Sequence, residues 1–326
     1  MKPTAILAGI AIATTAVAAP LSAAWAETAY PSRPITLVIP FPAGGSTDVV
    51  GRLIGKTLGD KLGQPVTIDN RAGAGTIIGA TYAAKAAPDG YTLLISSGTT
   101  FTVNPAIQPK LPYDPVKSFE PLGLIARTGL ILLANKDVPA STPKEFVALV
   151  KAAPDKYSYA SFGTGTTSQF TGELILRATG TKMVHVPYKG SAPAMTDLMG
   201  GQVPFSVDTV TAAIPQLKTG KIKAIAVSTA KRSPMLPNVP TFAESGYDVD
   251  ADTWIAIVAP RGLPPAVKAK LEKALADTVA STEVREKLTT AGLEPTYQNA
   301  AAVATLIERE LPLMRAVAAR ANIQAD

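Results

Sequence analysis

The fold is decided by the stretch Thr36-Leu37-Val38-Ile39-Pro40-Phe41-Pro42-Ala43-Gly44-Gly45-Ser46-Thr47-Asp48. It begins as a short apolar run, which is typical of a buried strand in a parallel sheet. Two prolines end the strand, and the two glycines can turn the backbone tightly and leave its N–H groups uncovered. Three good N-cap residues follow, and apolar side chains then recur at helical spacing as far as Leu62, before Gly63 in a C-terminal cap position. The stretch therefore predicts a strand, a bare glycine turn and the start of a helix.

Such a turn suits an anion, because its free N–H groups and the positive end of a helix dipole point at one spot. A plain strand-to-helix connection with flexible glycines explains the same residues, and this alternative stays open. The turn lacks the Gly-Lys-Ser/Thr ending of a nucleoside triphosphate loop and the Gly-x-Gly-x-x-Gly of a dinucleotide site. The sequence thus indicates a small anion rather than a nucleotide.

The composition narrows the class of protein. The chain has 326 residues, enough for two domains. Residues 1–26 have a basic start, an apolar run and Ala24-Trp25-Ala26 before Glu27, which predicts a cleaved signal peptide and a periplasmic location. There is no cysteine and only one histidine, His185, so thiol chemistry is excluded, and a histidine-based metal site or Ser/His/Asp triad is hard to build. The net charge of +6 is scattered without arginine runs, which gives nucleic-acid binding little support.

Strands and helices alternate along most of the chain. Predicted strands at 35–41, 66–69 and 92–96 alternate with helices at 47–62 and up to residue 87. After a proline-containing segment, strands are predicted at 122–126 and 130–134, and a second series runs from 142 to 228. A third helical region follows residue 265, and Pro312 is expected to break or kink its last helix. This order predicts an α/β fold with mainly parallel sheets, in which ligands lie beyond the carboxyl ends of the strands.

Two similar apolar segments indicate where the chain passes from one lobe to the other. Leu130-Ile131-Leu132-Leu133-Ala134 and Trp254-Ile255-Ala256-Ile257-Val258 each precede a helix, and we interpret them as adjacent strands that carry the chain between two lobes. The predicted lobes are 27–128 plus 255–326, and 129–254. The ligand cleft is expected between them.

Several motifs together resemble one protein family. They are Tyr30-Pro31-Ser32-Arg33-Pro34-Ile35, Pro40 to Asp48, Asn70-Arg71-Ala72-Gly73-Ala74-Gly75, Pro88-Asp89-Gly90-Tyr91-Thr92-Leu93, Val186-Pro187-Tyr188-Lys189-Gly190, Leu236 to Glu244 and Trp254 to Pro264. In this order and spacing the mature chain resembles the Bug family of periplasmic solute-binding receptors, also called TctC-like proteins, which serve tripartite tricarboxylate transporters.

The resemblance implies a two-lobed, Venus-flytrap fold of the type II periplasmic class with a carboxylate in the cleft. It implies no cofactor and no metal, membrane transporter subunits as partners, and a monomer. Contacts carried over by position would come from loop backbone and hydroxyl groups. In the first lobe these are Phe41, Ala43, Gly44, Gly45, Ser46 and Asp48, with Ser97 and Thr99 nearby. In the second lobe they are Thr164, Gly165, Thr166, Thr167, Lys189, Gly190, Ser191, Ala192 and Asp208.

Two positions depart from the family pattern. Gln169 stands where the family often has histidine, and Pro312 interrupts a final helix that is usually unbroken. Several of the carried-over residues also have structural explanations that stay open. Phe41 covers the sheet end, Asp48 and Asp208 cap helices, and Lys189 is a solvated loop charge. His185 and Trp254 are interpreted as packing residues.

The functional hypothesis is a non-catalytic receptor that closes over a small mono- or dicarboxylate, aliphatic or aromatic. Two alternatives remain at this point. One is a receptor for a sensor kinase, which sequence cannot separate from a transport receptor. The other is a periplasmic hydrolase or isomerase in the same cleft, for which Asp48 and Asp208 are the obvious acids.

Overall fold

The computed structural model describes residues 30–154, 156–321 and 323. The predicted signal peptide, residues 1–26, lies outside the described residues. Within them no helix combines the length and the apolar character that crossing a membrane requires.

The described residues form ten strands and ten α-helices, besides two short 3₁₀-helices and one π-helix. The strands are β1 Ile35–Ile39, β2 Val66–Asn70, β3 Thr92–Ser97, β4 Phe119–Asn135, β5 Ser158–Ser161, β6 Val184–Pro187, β7 Phe205–Thr209, β8 Ile222–Val227, β9 Asp252–Pro260 and β10 Glu294–Asn299. The helices are α1 Ser46–Leu62, α2 Ile77–Ala84, α3 Asn104–Ile107, α4 Pro143–Ala152, α5 Thr167–Thr179, α6 Ser191–Met199, α7 Val210–Leu217, α8 Pro265–Ala280, α9 Thr282–Thr290 and α10 Ala300–Ala321. A π-helical turn, Thr99–Val103, joins β3 to α3.

The strands fall into two groups that share β4. The first group has the order β2-β1-β3-β9-β4-β10, with a parallel core of β2, β1 and β3. The second has the order β8-β4-β7-β5-β6, with a parallel core of β7, β5 and β6. β4 pairs antiparallel with its neighbours in both groups, and its first half runs alongside β9. The α/β, two-lobed fold is therefore confirmed, and the residue boundaries of the lobes stay a prediction.

Both groups bury apolar side chains on each face of the sheet. In the first group, α1, α8 and α9 cover one face, and α2 and α10 cover the other. Trp254 is buried on that second face, stacks on Phe101 at 5.7 Å between ring centroids, and donates from Nε1 to Glu310 on α10 at 2.7 Å. Trp254 is therefore a core residue in this structure.

Some local expectations are wrong. The two strands predicted at 122–126 and 130–134 are one strand, because the residues between them continue the pairing with β9 as far as Gly129 and Asp252. Strand β10 was not predicted from its polar sequence. α10 continues through Pro312, since apolar residues anchor it both before and after the proline. The N-cap of α1 is Gly45 rather than Ser46, Thr47 or Asp48, whereas Gly63 caps the C-terminus in a left-handed conformation, as predicted.

Candidate functional site

Two adjacent pockets lie where loops of the two strand groups meet. The smaller has a volume of about 20 Å³, which holds about one water-sized polar group. It is lined by Phe41, Pro42, Gly45, Ser46, Thr47, Phe162, Ser191 and Thr209. The larger has a volume of about 580 Å³ and shares Phe41, Pro42 and Phe162 with the smaller one. The shared residues place both pockets in one cleft.

The turn before α1 forms one wall of the small pocket. Gly44 has a φ of +89°, which a residue with a side chain rarely adopts, and this turns the chain into the helix. Gly45 offers no side-chain cap, so the first N–H groups of α1 stay available. The α1 dipole adds a partial positive charge at the same place. This wall therefore presents hydrogen-bond donors to the cleft.

Asp48 holds this turn in shape. Its carboxylate accepts from the Gly44 N–H at 3.0 Å, from Asn70 at 2.9 Å and from Arg52 at 3.0 Å. Burial by itself would raise the pKa of Asp48, but the hydrogen bonds from Arg52, the Gly44 N–H and Asn70 lower it below its ordinary value. Asp48 thus stabilises the conformation of the turn, and it does not line either pocket.

The corresponding turn of the second group precedes α5. Thr166 donates from its hydroxyl to the Gly163 carbonyl at 2.6 Å, and Gln169 accepts from the Gly165 N–H at 2.8 Å. Gln169, which departs from the resembled family, therefore has a structural role in this turn. The Thr167 N–H donates to Thr99 Oγ1 at 3.2 Å, which ties the turn to the end of β3.

The N-termini of α6 and α7 complete the small pocket. Ser191 is the first residue of α6, and Thr209 caps α7 by accepting from the Ala212 N–H at 3.2 Å. Behind both lies Asp208, which is completely buried. Its Oδ1 accepts from Ser191 Oγ at 2.8 Å and from the Thr209 N–H at 2.7 Å, while Oδ2 has no partner among the described residues.

Burial dominates the acid–base behaviour of Asp208. It raises the pKa of this carboxyl to about 7, against the lowering effect of the hydrogen bonds from Thr209 and Ser191. None of the described residues that line the small pocket carries a charge. An anion there would therefore be bound by helix N-termini from three directions and by the hydroxyl groups of Ser46 and Thr47 on the α1 side.

The loops of the two groups are in contact across the cleft. The rings of Phe41 and Phe162 meet edge to face, with centroids 6.3 Å apart. A Cβ added to Gly190 would lie 2.6 Å from Pro42 Cγ, and one added to Gly75 would lie 2.8 Å from the Thr164 carbonyl oxygen. Such close approaches require glycine. Residues in or next to the predicted turns are therefore in contact, and the binding of a ligand between the two turns stays a prediction.

The structure distributes the predicted residues unevenly. Four line the small pocket, namely Phe41, Gly45, Ser46 and Ser191. Phe41, Thr164, Lys189 and Gly190 line the larger one, and Lys189 is exposed. The remaining predicted residues are outside both linings: Ala43, Gly44, Asp48, Ser97, Thr99, Gly165, Thr166, Thr167, Ala192 and Asp208. Ser97 accepts from the Thr99 N–H at 3.3 Å, so these two shape the end of β3.

Four residues of the small pocket are absent from the predicted contacts. One of them, Pro42, directly follows Phe41 in the predicted turn. Thr47 lies inside the predicted turn, and Thr209 directly follows Asp208. Phe162 precedes the Gly163 turn much as Phe41 precedes the Gly44 turn, and this parallel could have identified it.

The single histidine is part of the second sheet. Its Nε2 lies 2.6 Å from Ser161 Oγ, and its ring packs on Tyr159. Ser161 is completely buried, so it is not accessible to a substrate as a nucleophile. Among residues 30–154, 156–321 and 323, no group of histidine, aspartate and glutamate side chains is arranged to hold a metal ion.

Comparison with known proteins identifies the family to which this chain belongs. A family model described as the tripartite tricarboxylate transporter family receptor matches residues 50–323. The Bordetella pertussis protein BugT is 38% identical over 299 residues, which cover 90% of this chain and 90% of BugT.

Two solved structures are similar over nearly their full length. The R. palustris protein Rpa4515, determined with adipate, has 35% sequence identity and a TM-score of 0.88, covering 90% of this chain and 99% of that protein. MatC from Rhodopseudomonas palustris, determined with bound malate, has 35% identity and a TM-score of 0.84, covering 88% and 99%.

Proposed function

Because the chain belongs to the family of tripartite tricarboxylate transporter receptors, we propose that it captures a small mono- or dicarboxylate in the periplasm and delivers it to the membrane subunits of such a transporter. The adipate and malate bound by its structural relatives support this ligand class. The receptor acts as a monomer without catalysing a reaction, and its signal peptide, residues 1–26, is removed on export.

The small pocket is the observation that carries this proposal. The N-termini of α1, α6 and α7 reach it from both sides of the cleft, and each brings N–H groups and the positive end of a helix dipole. Closing the cleft removes water, so each hydrogen bond to a charged oxygen becomes stronger. These donors can therefore bind a carboxylate without help from a cationic side chain.

The lobes proposed to close over the ligand are 27–128 plus 255–326, and 129–254. Two observations support this division. β4 and β9 run side by side where the chain would pass between the lobes, as a hinge requires. The contacts of Gly190 with Pro42 and of Gly75 with Thr164 join the two parts across the cleft. The ligand would be enclosed by the turns at 41–48 and 162–167 and by the start of α6.

Isothermal titration calorimetry with small acids and their methyl esters tests the proposal. We expect esterification of the bound carboxylate to weaken binding at least about 100-fold, since the donors then lose a full charge. Removing one methylene from the carbon skeleton should cost about tenfold or less. Equal loss in both series, or no heat with any organic acid, would refute the proposal.

A further inference from the structure

The two walls of the small pocket differ in what they offer a ligand. On the α1 side, Ser46 and Thr47 line the pocket, and neither hydroxyl has a hydrogen-bond partner within the described part of the chain. Together with the N–H groups of the first helical turn, they are free to donate. This wall is therefore suited to a carboxylate.

On the opposite wall the hydroxyl hydrogens are already used. Ser191 donates to Asp208 Oδ1 at 2.8 Å, and Thr209 donates to the same oxygen over a longer 3.4 Å. A hydroxyl has one hydrogen and two lone pairs, so Ser191 presents only lone pairs to the pocket. Thr209 is further engaged, because its oxygen accepts from the Ala212 N–H. The two hydroxyl groups of this wall can therefore accept hydrogen bonds but have no hydrogen left to donate, and the donors on this side are the backbone N–H groups of α6 and α7.

Ser191 presents lone pairs to the pocket whether or not Asp208 is ionised. Its Oδ1 receives the Ser191 hydroxyl and the Thr209 N–H, whereas Oδ2 has no described partner. A proton on the carboxyl would therefore reside on Oδ2 and leave both donors on Oδ1 in place. Ser191 remains an acceptor in either state.

The walls are close together, which constrains the ligand. A Cβ placed on Gly45 would lie 3.9 Å from Ser191 Oγ, and the pocket has room for little more than one polar group. A carboxylate on the α1 side would leave the Ser191 oxygen facing the adjacent atom of the ligand. An acid with only methylenes there leaves that lone pair without a partner, at a cost in desolvation.

We propose that the ligand carries a hydrogen-bond donor, a hydroxyl or an ammonium group, on the carbon next to its carboxylate, and that Ser191 accepts from this donor. The inference rests on the proposed carboxylate-receptor function and narrows the ligand to 2-hydroxy and 2-amino acids. Asp208 is a positioning residue here, since it fixes the direction of the Ser191 hydroxyl.

The test is calorimetry with three acids of one carbon skeleton, succinate, malate and aspartate. We expect malate, aspartate or both to bind at least tenfold more tightly than succinate. The preferred acid shows whether the donor is a hydroxyl or an ammonium group. Lactate with propionate and alanine repeats the comparison for monocarboxylates.

Two variants show which wall of the small pocket is responsible for the preference for donor-bearing acids. Ser191→Ala removes the acceptor, so the ratio between the donor-bearing acid and its parent should fall towards one. Ser46→Ala on the opposite wall should weaken both acids of a pair by the same factor and leave the ratio unchanged. Thermal unfolding of each variant shows that it is folded.

The outcomes separate the two proposals. If parent acids bind as tightly as donor-bearing acids, or if Ser191→Ala keeps the ratio, the donor inference is overturned and the carboxylate receptor stands. If no acid of any series binds, both are overturned.

Discussion

Replacing Asp208 with asparagine should change how the stability of the protein depends on pH. The wild-type carboxyl is completely buried, and its pKa is raised to about 7 from an ordinary value of 3.8. Between these two values the folded protein holds a proton that the unfolded chain releases. Wild-type stability therefore falls as the pH rises through this window, and the loss is complete above about pH 7.

The size of the effect follows from the two pKa values. At about 1.4 kcal/mol per pH unit, the full loss is about 4 kcal/mol, and less than half of it is already present at pH 5. Asp208→Asn keeps an oxygen that accepts from Ser191 and Thr209 but has no proton to lose. The free energy of unfolding of the variant, relative to that of the wild type, should therefore rise by about 2–3 kcal/mol between pH 5 and pH 8.

Urea unfolding of both proteins at pH 5 and pH 8 measures this difference. Taking the variant relative to the wild type cancels the contributions of other carboxyls, such as Glu310, whose pKa is also raised by burial. Asp48→Asn is the matched control, because hydrogen bonds lower the pKa of Asp48 despite its burial. That variant should lose stability relative to the wild type as the pH rises towards the ordinary aspartate pKa of about 4, and show no further change from pH 5 to pH 8. The reasoning would be refuted if the difference in free energy of unfolding between Asp208→Asn and the wild type were the same at pH 5 and pH 8.

Two further variants test the contacts across the cleft. Gly190→Ala places a Cβ 2.6 Å from Pro42 Cγ at a φ of +119°, so it should weaken ligand binding about tenfold or more. Gly220→Ala is the control, because Gly220 has a φ of +69° and open space around it. Its alanine variant strains the backbone without a steric clash and should leave the affinity for the ligand unchanged. Thr99→Val removes the acceptor of the Thr167 N–H and should weaken binding about fivefold, the equivalent of about 1 kcal/mol. Calorimetry measures all three, and wild-type affinity in Gly190→Ala and Thr99→Val would contradict the role given to these contacts.

Local signals in the sequence were enough for the element that organises the site. The apolar run, the paired glycines and the helical spacing placed β1, the bare turn and α1, because each depends on neighbours within a few residues. Gly63 was identified as the C-terminal cap for the same reason. β10 was missed because its sequence, Glu294–Asn299, is polar and becomes a strand only by pairing with β4.

The site itself was only partly predictable. The turns at 41–48 and 163–167 were found from their composition, since strands of one sheet end at a common edge. The role of Asp208 depends on which hydroxyls it faces, and Ser191 is 17 residues away in sequence. Composition cannot show that the Ser191 hydrogen points at a carboxylate, because that follows from the packing of α6 beside the end of β7.

The absence of charge in the small-pocket lining has a functional reason in the proposed receptor. A cationic side chain on one lobe would keep its full contact with the carboxylate when the lobes moved apart. Helix N-termini contributed by both lobes act differently, because their donors surround the ligand only when the lobes meet. Opening then removes part of the ligand's hydrogen bonds at once and readmits water, which weakens the remaining ones. A receptor that must both capture and release a small acid gains from binding groups that are divided between its lobes. Ser46 on α1, which can donate, and Ser191 on α6, which can accept, are divided in this way.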